Sequence, residues 1–179
     1  MKKRILPIIM AIAMIVSLMP TMAFAAPITA DDGALEVASA DDLLTAIQNA
    51  ESGMESTIRL TEGITIDQTI EIPAGREIVL DLNGQKIEST VDGYTLVNNG
   101  TLTINDETDA GIICNTSTGV ANEKTHFILR NYGDMAINGG TFGDTDTDRD
   151  NANTANWGAA IINMEGNCTI NGGHFTCGD

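Results

Sequence analysis

A six-residue phrase recurs in the second half of the chain at a constant interval, and that interval constrains the fold more than any other feature. Its three copies begin at Gly100, Gly133 and Gly166, which is a constant 33-residue interval, and each copy ends in Ile-Asn. A fixed period of this size indicates stacked units that bury their apolar faces only against their neighbours. Within each copy, apolar and polar residues alternate as in a β-strand. Strands and turns repeating in this way predict a parallel β-helix.

Shorter coils are predicted before these copies, because alternating apolar residues continue back to Ile58. A 22-residue step relates the segment 80–83 to the segment 102–105. We therefore expect 22-residue coils early in the stack and 33-residue coils later. The 11-residue surplus matches the polar stretch 115–125, and a similar stretch covers 143–156. We expect both stretches to leave neighbouring coils at the same corner.

The N-terminal part of the chain divides into three segments before the coils. Residues 1–25 combine a basic start, an apolar run and a small-x-small site, which predicts a secretory signal peptide. Residues 26–34 have the composition of a flexible leader. Residues 35–57 predict an N-terminal cap with a helix from about Asp41 to Ala50, which covers the edge of the first coil. The β-helix then occupies residues 58–179, and no membrane span is predicted beyond the signal peptide.

Three local patterns carry a family resemblance: the helix followed by Ile-x-Leu, the run Ile78–Gly84, and the two Ile-Asn-Gly-Gly-x-Phe endings. They resemble bacterial secreted right-handed parallel β-helix repeat proteins of the pectate-lyase-like superfamily, especially its cell-surface, adhesin-like members. The resemblance extends from roughly Leu35 to Asp179. It implies an all-β, right-handed parallel β-helix (a solenoid) of about four to five coils with an N-terminal capping helix. Because that superfamily contains lyases, hydrolases, tailspikes, adhesins and inert stalks, the resemblance does not determine function.

The charge of the chain excludes two classes of partner. Its formal net charge is −16, and signal-peptide cleavage removes three basic residues and no acidic one, which gives −19. Nucleic acids and anionic membranes both require clustered positive charge, so neither is an expected partner. The preferred interpretation of the charge is that it keeps a secreted surface soluble.

Asparagines recur directly after the strands at Asn83, Asn105, Asn138 and Asn171. Stacked asparagines hydrogen-bond along the axis of such a fold, and asparagine tolerates the left-handed conformation of a tight corner. A row of ligand-binding asparagines is the alternative. Because the residues follow the strands in a fixed phase, we predict a structural ladder.

Four aspartates alternate with other residues in one loop: Asp144, Asp146, Asp148 and Asp150. Spaced carboxylates suit Ca²⁺, and the first three match the start of an EF-hand loop. The match then fails, because Arg149 replaces the turn glycine and Ala155 replaces the bidentate glutamate. A solvated acidic loop is therefore the preferred interpretation and a Ca²⁺ site the alternative. No other cofactor is predicted.

One cation, Arg130, follows an apolar strand and borders the polar loops. The resemblance implies that a lyase of this superfamily pairs acidic calcium ligands with an Arg or Lys base on neighbouring coils, so Arg130 is the candidate catalytic residue. A glycoside hydrolase would need two carboxylates facing one cleft. The Gly-x-Ser-x-Gly signature of a nucleophilic serine is missing. We therefore interpret the chain as non-enzymatic, with a polysaccharide lyase or glycoside hydrolase as the alternative.

Aromatic residues, which usually form the platforms of sugar sites, are scarce. Trp157, Tyr94 and Tyr132 are the only Trp and Tyr residues. Trp157 follows a polar loop and precedes small residues, so ligand binding and local packing both stay open for it. Phe142 and Phe175 share the repeat phase, which favours stacking in the core.

Three cysteines are an odd number for an exported protein. Cys168 occupies the repeat position of Leu102 and Met135, which predicts an inward-pointing thiol. A Cys168–Cys177 disulfide stays open as the alternative.

These patterns favour an extracellular or cell-surface structural or binding module that contacts surface glycans. A phage-like trimeric fibre is a further interpretation. The chain stops partway round a coil, and the phase predicts that Cys168, Ile170 and Phe175 are exposed there. We expect either the front part of a longer surface protein, attached through a later region, or an end that docks onto a partner or another β-helix segment.

Overall fold

In the computed structural model, residues 28–30, 32–117, 127–143 and 160–176 are described, and they form one helix and sixteen short strands. The predicted signal peptide lies outside these residues. The elements are, in chain order, β1 (Ile28–Thr29), β2 (Leu35–Val37), α1 (Ala40–Asn49), β3 (Glu55–Leu60), β4 (Ile64–Ile66), β5 (Ile70–Ile72), β6 (Glu77–Asp81), β7 (Lys86–Ser89), β8 (Tyr94–Asn98), β9 (Thr101–Asn105), β10 (Ile112–Asn115), β11 (Phe127–Asn131), β12 (Asp134–Ile137), β13 (Thr141–Phe142), β14 (Ile161–Asn163), β15 (Cys168–Ile170) and β16 (His174–Phe175).

The strands form three sheets, because from β3 onwards every third strand returns to the same face. Sheet A has the order β1-β2-β3-β6-β9-β12-β15, sheet B the order β16-β13-β10-β7-β4, and sheet C the order β14-β11-β8-β5. Among the described strands, all pairings are parallel except that of β1 with β2. The predicted parallel β-helix is therefore confirmed, with about five coils beginning at β3.

The register between coils confirms the 33-residue repeat. Ile104, Ile137 and Ile170 lie opposite one another in β9, β12 and β15. The predicted 22-residue step relates Ile58 to Leu80. It is wrong for the next coil, where Leu80 lies opposite Ile104 rather than Leu102. Such a slip by two positions keeps the same side chains facing inward, because side chains alternate with a period of two. Alternation by itself therefore does not distinguish the two registers.

Isoleucine and leucine side chains from all three sheets fill the interior of the coils. Ile58, Ile104, Ile87 and Leu96 are completely buried, and they belong to one continuous core that runs through the stack. Complete burial of such a side chain contributes about 2 kcal/mol. Each coil relies on its neighbours for this burial, which is the physical reason that the units occur as a stack.

Helix α1 covers the first coil, as predicted. Ser39 caps it by accepting a hydrogen bond from the backbone N–H of Asp42 at 3.1 Å. Its inner face buries Leu43, Ala46 and Ile47, and the helix contacts β2 and β4. The apolar end of the stack is therefore closed by side chains that the periodicity of the helix places on one face. Within the described residues, no helix has both the length and the apolar character that a membrane span requires.

The segment predicted as a flexible leader contains the short strand β1, which pairs antiparallel with β2. Arg59 on β3 connects this segment to the coils, since its guanidinium lies 2.7 Å from carboxylate oxygens of both Asp32 and Asp81. The hydrogen bond from Arg59 is the main cause that lowers the pKa of the Asp32 carboxyl. Ala34, two residues after Asp32, is buried.

The last described coil is the most exposed part of the stack. Ile170 is 52% exposed, although Ile104 and Ile137 in the same register are fully buried. The Phe175 ring stacks on Phe142 with centroids 5.1 Å apart, which agrees with the predicted core stacking. Cys168 lies opposite Met135 as a free thiol, and burial raises its pKa. Cys177 lies outside the described residues.

Candidate functional site

Four half-buried side chains form a continuous surface on the outer face of sheet C. The ring of Tyr94 stacks on that of Phe127, with centroids 5.0 Å apart and planes 18° apart. The guanidinium carbon of Arg130 lies 4.7 Å from the centroid of the Tyr94 ring and 4.8 Å from that of Tyr132. We call these four residues the aromatic strip. Rings and cation attract one another through the ring quadrupoles, which holds the strip together.

The pairing of β8 with β11 produces the strip. Tyr94 lies opposite Phe127, and Val97 lies opposite Arg130, so the aromatic pair and the cation occupy neighbouring outward positions. Between them, Leu96 and Leu129 point inward and are fully buried. The Nε atom of Arg130 is buried and has no hydrogen-bond partner in the described part of the chain. In the structure, this guanidinium is therefore held by its contacts with the two tyrosine rings.

A groove with a volume of about 390 Å³ begins where the aromatic strip ends, at Tyr132. It lies at the turn from sheet C to sheet A and crosses four successive coils. Six of its lining side chains are polar, charged or aromatic: Arg76, Glu77, Asn99, Thr101, Tyr132 and Asp134. Four glycines complete the lining: Gly75, Gly100, Gly133 and Gly166. We call this site the corner groove.

Close stacking of the coils explains the glycines of the corner groove. A Cβ atom at Gly133 would overlap the carbonyl oxygen of Gly100, and one at Gly166 would overlap that of Gly133. The amide of Asp134 donates to the same Gly100 oxygen at 3.0 Å. The repeated glycines are therefore required by packing, and they leave the floor of the groove without side chains.

Charged groups stand along the sheet A side of the corner groove. Glu77, Thr101 and Asp134 lie opposite one another at the starts of β6, β9 and β12. Asp134 is held by the side-chain amide of Asn167, which donates to its Oδ1 at 2.8 Å. Arg76 is the one cation among the groove residues that the structure describes. The described lining therefore carries two carboxylates and one guanidinium.

Of the predicted site residues that the structure describes, only Arg130 lies in this region. Trp157 and the four aspartates Asp144, Asp146, Asp148 and Asp150 lie outside the described residues. Over the ranges that the structure describes, no group of three or more His, Cys, Asp or Glu side chains is arranged to hold a metal ion. The aromatic strip therefore brings together Arg130 and the two tyrosines, which the sequence analysis considered separately.

The predicted asparagine ladder has three members rather than four. Asn138 Nδ2 donates to Asn105 Oδ1, and Asn171 Nδ2 donates to Asn138 Oδ1, each at 2.8 Å. We call these three residues the outer row. Asn83 lies outside it, because Asp81 occupies the position opposite Asn105. Asn83 instead has a positive φ of 49° and donates to the backbone oxygen of Leu60 at 3.0 Å.

A second row of asparagines was missed by the sequence analysis. Asn98 Nδ2 donates to Asn131 Oδ1, and Asn131 Nδ2 donates to Asn163 Oδ1, each at 2.7 Å. We call these residues the inner row, because Asn98 and Asn131 are completely buried. The interval between Asn98 and Asn131 is 33 residues, the same as the repeat, so this pair could have been predicted from the sequence. The interval to Asn163 is one residue shorter, and this breaks the pattern.

The polar residues of the corner groove were also missed. Thr101 and Asp134 directly follow repeat glycines, so their common position was readable from the phase. The position of Tyr132 in the groove could not be read from the phase, because it depends on how sheet C meets sheet A.

Comparisons with known proteins identify no relative: no protein family, no curated protein and no solved structure matches the chain. The cycling of three parallel sheets is consistent with a parallel β-solenoid. The function therefore has to be argued from the strip and the groove themselves.

Proposed function

We propose that the protein is an extracellular or cell-surface binding module that contacts glycan chains through the aromatic strip and the corner groove. The observation that carries this proposal is the position of Tyr132, which belongs to both. Its ring contacts Arg130 in the strip, and it also lines the groove. An aromatic surface is thereby joined directly to a polar groove.

A sugar ring has apolar C–H faces and a rim of hydroxyls, so it needs both kinds of surface. Aromatic side chains supply large apolar area in a fixed orientation. Carboxylates, amides and hydroxyls accept and donate hydrogen bonds to the sugar hydroxyls. Tyr132 beside Asn99, Thr101 and Asp134 offers this combination within one groove.

The shape of the corner groove supports an elongated ligand. Its lining residues come from four successive coils, so the groove runs along the axis of the stack. Strands of neighbouring coils are spaced by about 4.8 Å, which makes the groove long enough for several sugar units. The strip and groove also sit on strands and tight corners, which hold a binding site more precisely than mobile loops do.

Export and surface location are part of the same proposal. The predicted signal peptide supports secretion, and the resemblance to adhesin-like members of the pectate-lyase-like superfamily supports a surface role. The acidic composition favours uncharged surface polymers over nucleic acids as partners.

Binding of the mature chain, residues 26–179, to a panel of immobilised glycans tests the proposal. We expect retention of at least one glycan, and we expect Tyr132→Ala to weaken that binding about tenfold, since a lost aromatic contact is worth about 1.4 kcal/mol. Tyr132→Phe retains the ring and should restore most of the affinity. Thr65→Ala is the control, because Thr65 is exposed on β4 in sheet B, which contributes no residue to the groove lining. Retention of no glycan, or equal binding by Tyr132→Ala and the parent chain, contradicts the proposal.

A polysaccharide lyase or glycoside hydrolase is the second candidate, because Arg130 contacts the tyrosine that lines the groove. The rings of Tyr94 and Tyr132 occupy its guanidinium, which favours a role in binding over a role as a base. Incubation of the same glycans with the chain, with and without Ca²⁺, separates the two functions. Turnover that disappears in Arg130→Ala would establish the enzyme, and binding without turnover would support the module.

A further inference from the structure

We propose that the corner groove selects uncharged, hydroxyl-rich glycan chains and rejects chains whose units carry a carboxylate. This inference rests on the proposed glycan-binding function and adds to it the chemical class of the ligand. Its basis is the order of charged side chains along the groove.

Two carboxylates flank the centre of the corner groove. Glu77, Thr101 and Asp134 occupy the same register position in β6, β9 and β12, and strands of adjacent coils are about 4.8 Å apart. Thr101 therefore lies between two carboxylate-bearing positions, each one strand away. A carboxylate of a ligand lying over Thr101 would face both of them, and like charges at this distance repel one another.

The cations that the structure describes near the groove do not offset this repulsion at its centre. Arg76 directly precedes Glu77, so it lies at one side of the row, and its Nη2 is 3.5 Å from the backbone oxygen of Gln48. Arg130, the next cation along this face, contacts the rings of Tyr94 and Tyr132. Its Nε is buried. The whole chain adds to the effect through its formal net charge of −16.

The same side chains favour hydroxyl groups. Carboxylates accept hydrogen bonds from sugar hydroxyls, and the Thr101 hydroxyl both donates and accepts. Asp134 is fixed in place, since the side-chain amide of Asn167 donates to its Oδ1 at 2.8 Å. Thr101 and Asp134 are exposed, so a chain lying in the groove reaches them directly. An uncharged chain gains these bonds without the repulsion.

Matched pairs of hexasaccharides test the selectivity. Cellohexaose and its C6-oxidised glucuronate form share one stereochemistry, and β-1,4-mannohexaose and its C6-oxidised mannuronate form share another. The mature chain should bind the neutral member of a pair at least about tenfold more tightly than the oxidised member at low salt. High salt should reduce this ratio of affinities, because exposed charges are screened. We expect Glu77→Gln/Asp134→Asn to reduce the ratio of the two affinities at least about threefold, since it removes both flanking charges.

The control is Glu62→Gln/Asp67→Asn, which removes the same charge from two exposed positions in the turns before and after β4 and should leave the ratio unchanged. Equal or tighter binding of the oxidised members, with loss of binding in Tyr132→Ala, would overturn the selectivity while the binding function stands. An equal effect of the two double variants would overturn it as well, because net charge and not the groove would then set the ratio. Binding of none of these hexasaccharides or of the wider glycan panel would overturn both proposals.

Discussion

The inner and outer rows of asparagines use the same side chain and nearly the same hydrogen bond in two different surroundings. The amide–amide distances are 2.7 Å in the inner row and 2.8 Å in the outer row. In the inner row, Asn98 and Asn131 have no exposed surface, and Asn163 at the end of the row is exposed. In the outer row, Asn138 and Asn171 are exposed to water. The hydrogen-bond distances are therefore almost the same in the two rows, whereas the burial of the central side chains differs.

The energetic contribution of each row depends on what replaces its hydrogen bonds when they are broken. If an outer-row bond is broken, water takes the place of the lost partner, and the net loss is small. If the inner-row bond between Asn98 and Asn131 is broken, the groups that it joined stay buried, and their desolvation is no longer offset by that bond. The two rows thus make a matched test of burial within one fold.

The largest expected effect is that of Asn131→Ala, which removes the centre of the inner row. Asn131 Oδ1 accepts from Asn98, and its Nδ2 donates to Asn163 Oδ1 and to the Gly133 carbonyl, each at 2.7 Å. Because three hydrogen bonds are lost at a completely buried side chain, at about 1 kcal/mol each, the free energy of unfolding should fall by about 3 kcal/mol. Urea unfolding followed by circular dichroism measures this change. A loss below about 1 kcal/mol would remove the distinction between the rows.

An intermediate effect is expected at Asp106, which directly follows the outer-row residue Asn105 but is only 3% exposed. Burial raises the pKa of its carboxyl, but hydrogen bonds donated by Gly111 N, Thr108 Oγ1 and Gly84 N together outweigh burial and hold the pKa below its usual value. Asp106→Asn replaces one acceptor oxygen with an NH2 donor, which would face these N–H and O–H donors instead of accepting from them. It should lower the free energy of unfolding at pH 7 by about 2 kcal/mol.

The stability difference between the parent chain and Asp106→Asn should depend on pH in one direction. A carboxyl whose folded pKa is lowered stabilises the fold above its unfolded pKa of about 4, and it loses this contribution as pH falls through the folded pKa. The stability difference between the parent chain and Asp106→Asn should therefore be constant from pH 7 to about pH 5 and shrink below about pH 4. Urea midpoints across this range check it. A difference that stays constant down to pH 2 would show that the charge of Asp106 contributes nothing.

The smallest effect is expected for Asn138→Ala, the matched change at the centre of the outer row. It removes the hydrogen bonds to both Asn105 and Asn171, but all three sites are accessible to water. We expect a loss of about 0.5–1 kcal/mol in the same urea experiment. A loss as large as that of Asn131→Ala would mean that repeat position, and not burial, sets the contribution of these ladders.

Periodicity predicted the parts of this protein that depend on local pattern. The three repeat isoleucines stack in register, and the helix predicted from about Asp41 to Ala50 is observed as Ala40–Asn49. Both features follow from which face of a strand or helix is apolar. The segment 80–83 was placed in the wrong register because a two-residue slip preserves that face. The same slip brought Asn83 into the predicted ladder.

The parallel β-helix could be predicted from the amino-acid sequence, because a 33-residue phase of glycine, isoleucine and asparagine is compatible with little else. The helical cap could be predicted from the local pattern of residues 35–57. The burial of particular asparagines and the set of residues that meet at the corner depend on tertiary contacts and could not be predicted in this way. Tyr94, Arg130 and Tyr132 are neighbours because β8 pairs with β11, and Tyr132 lines one groove with Glu77 and Asp134 because sheet C turns into sheet A there. Periodicity gives only the distance along the chain between equivalent positions. A site on a solenoid is formed across coils and around a corner, so its contacts depend on the register of the strands and on the angle between the sheets.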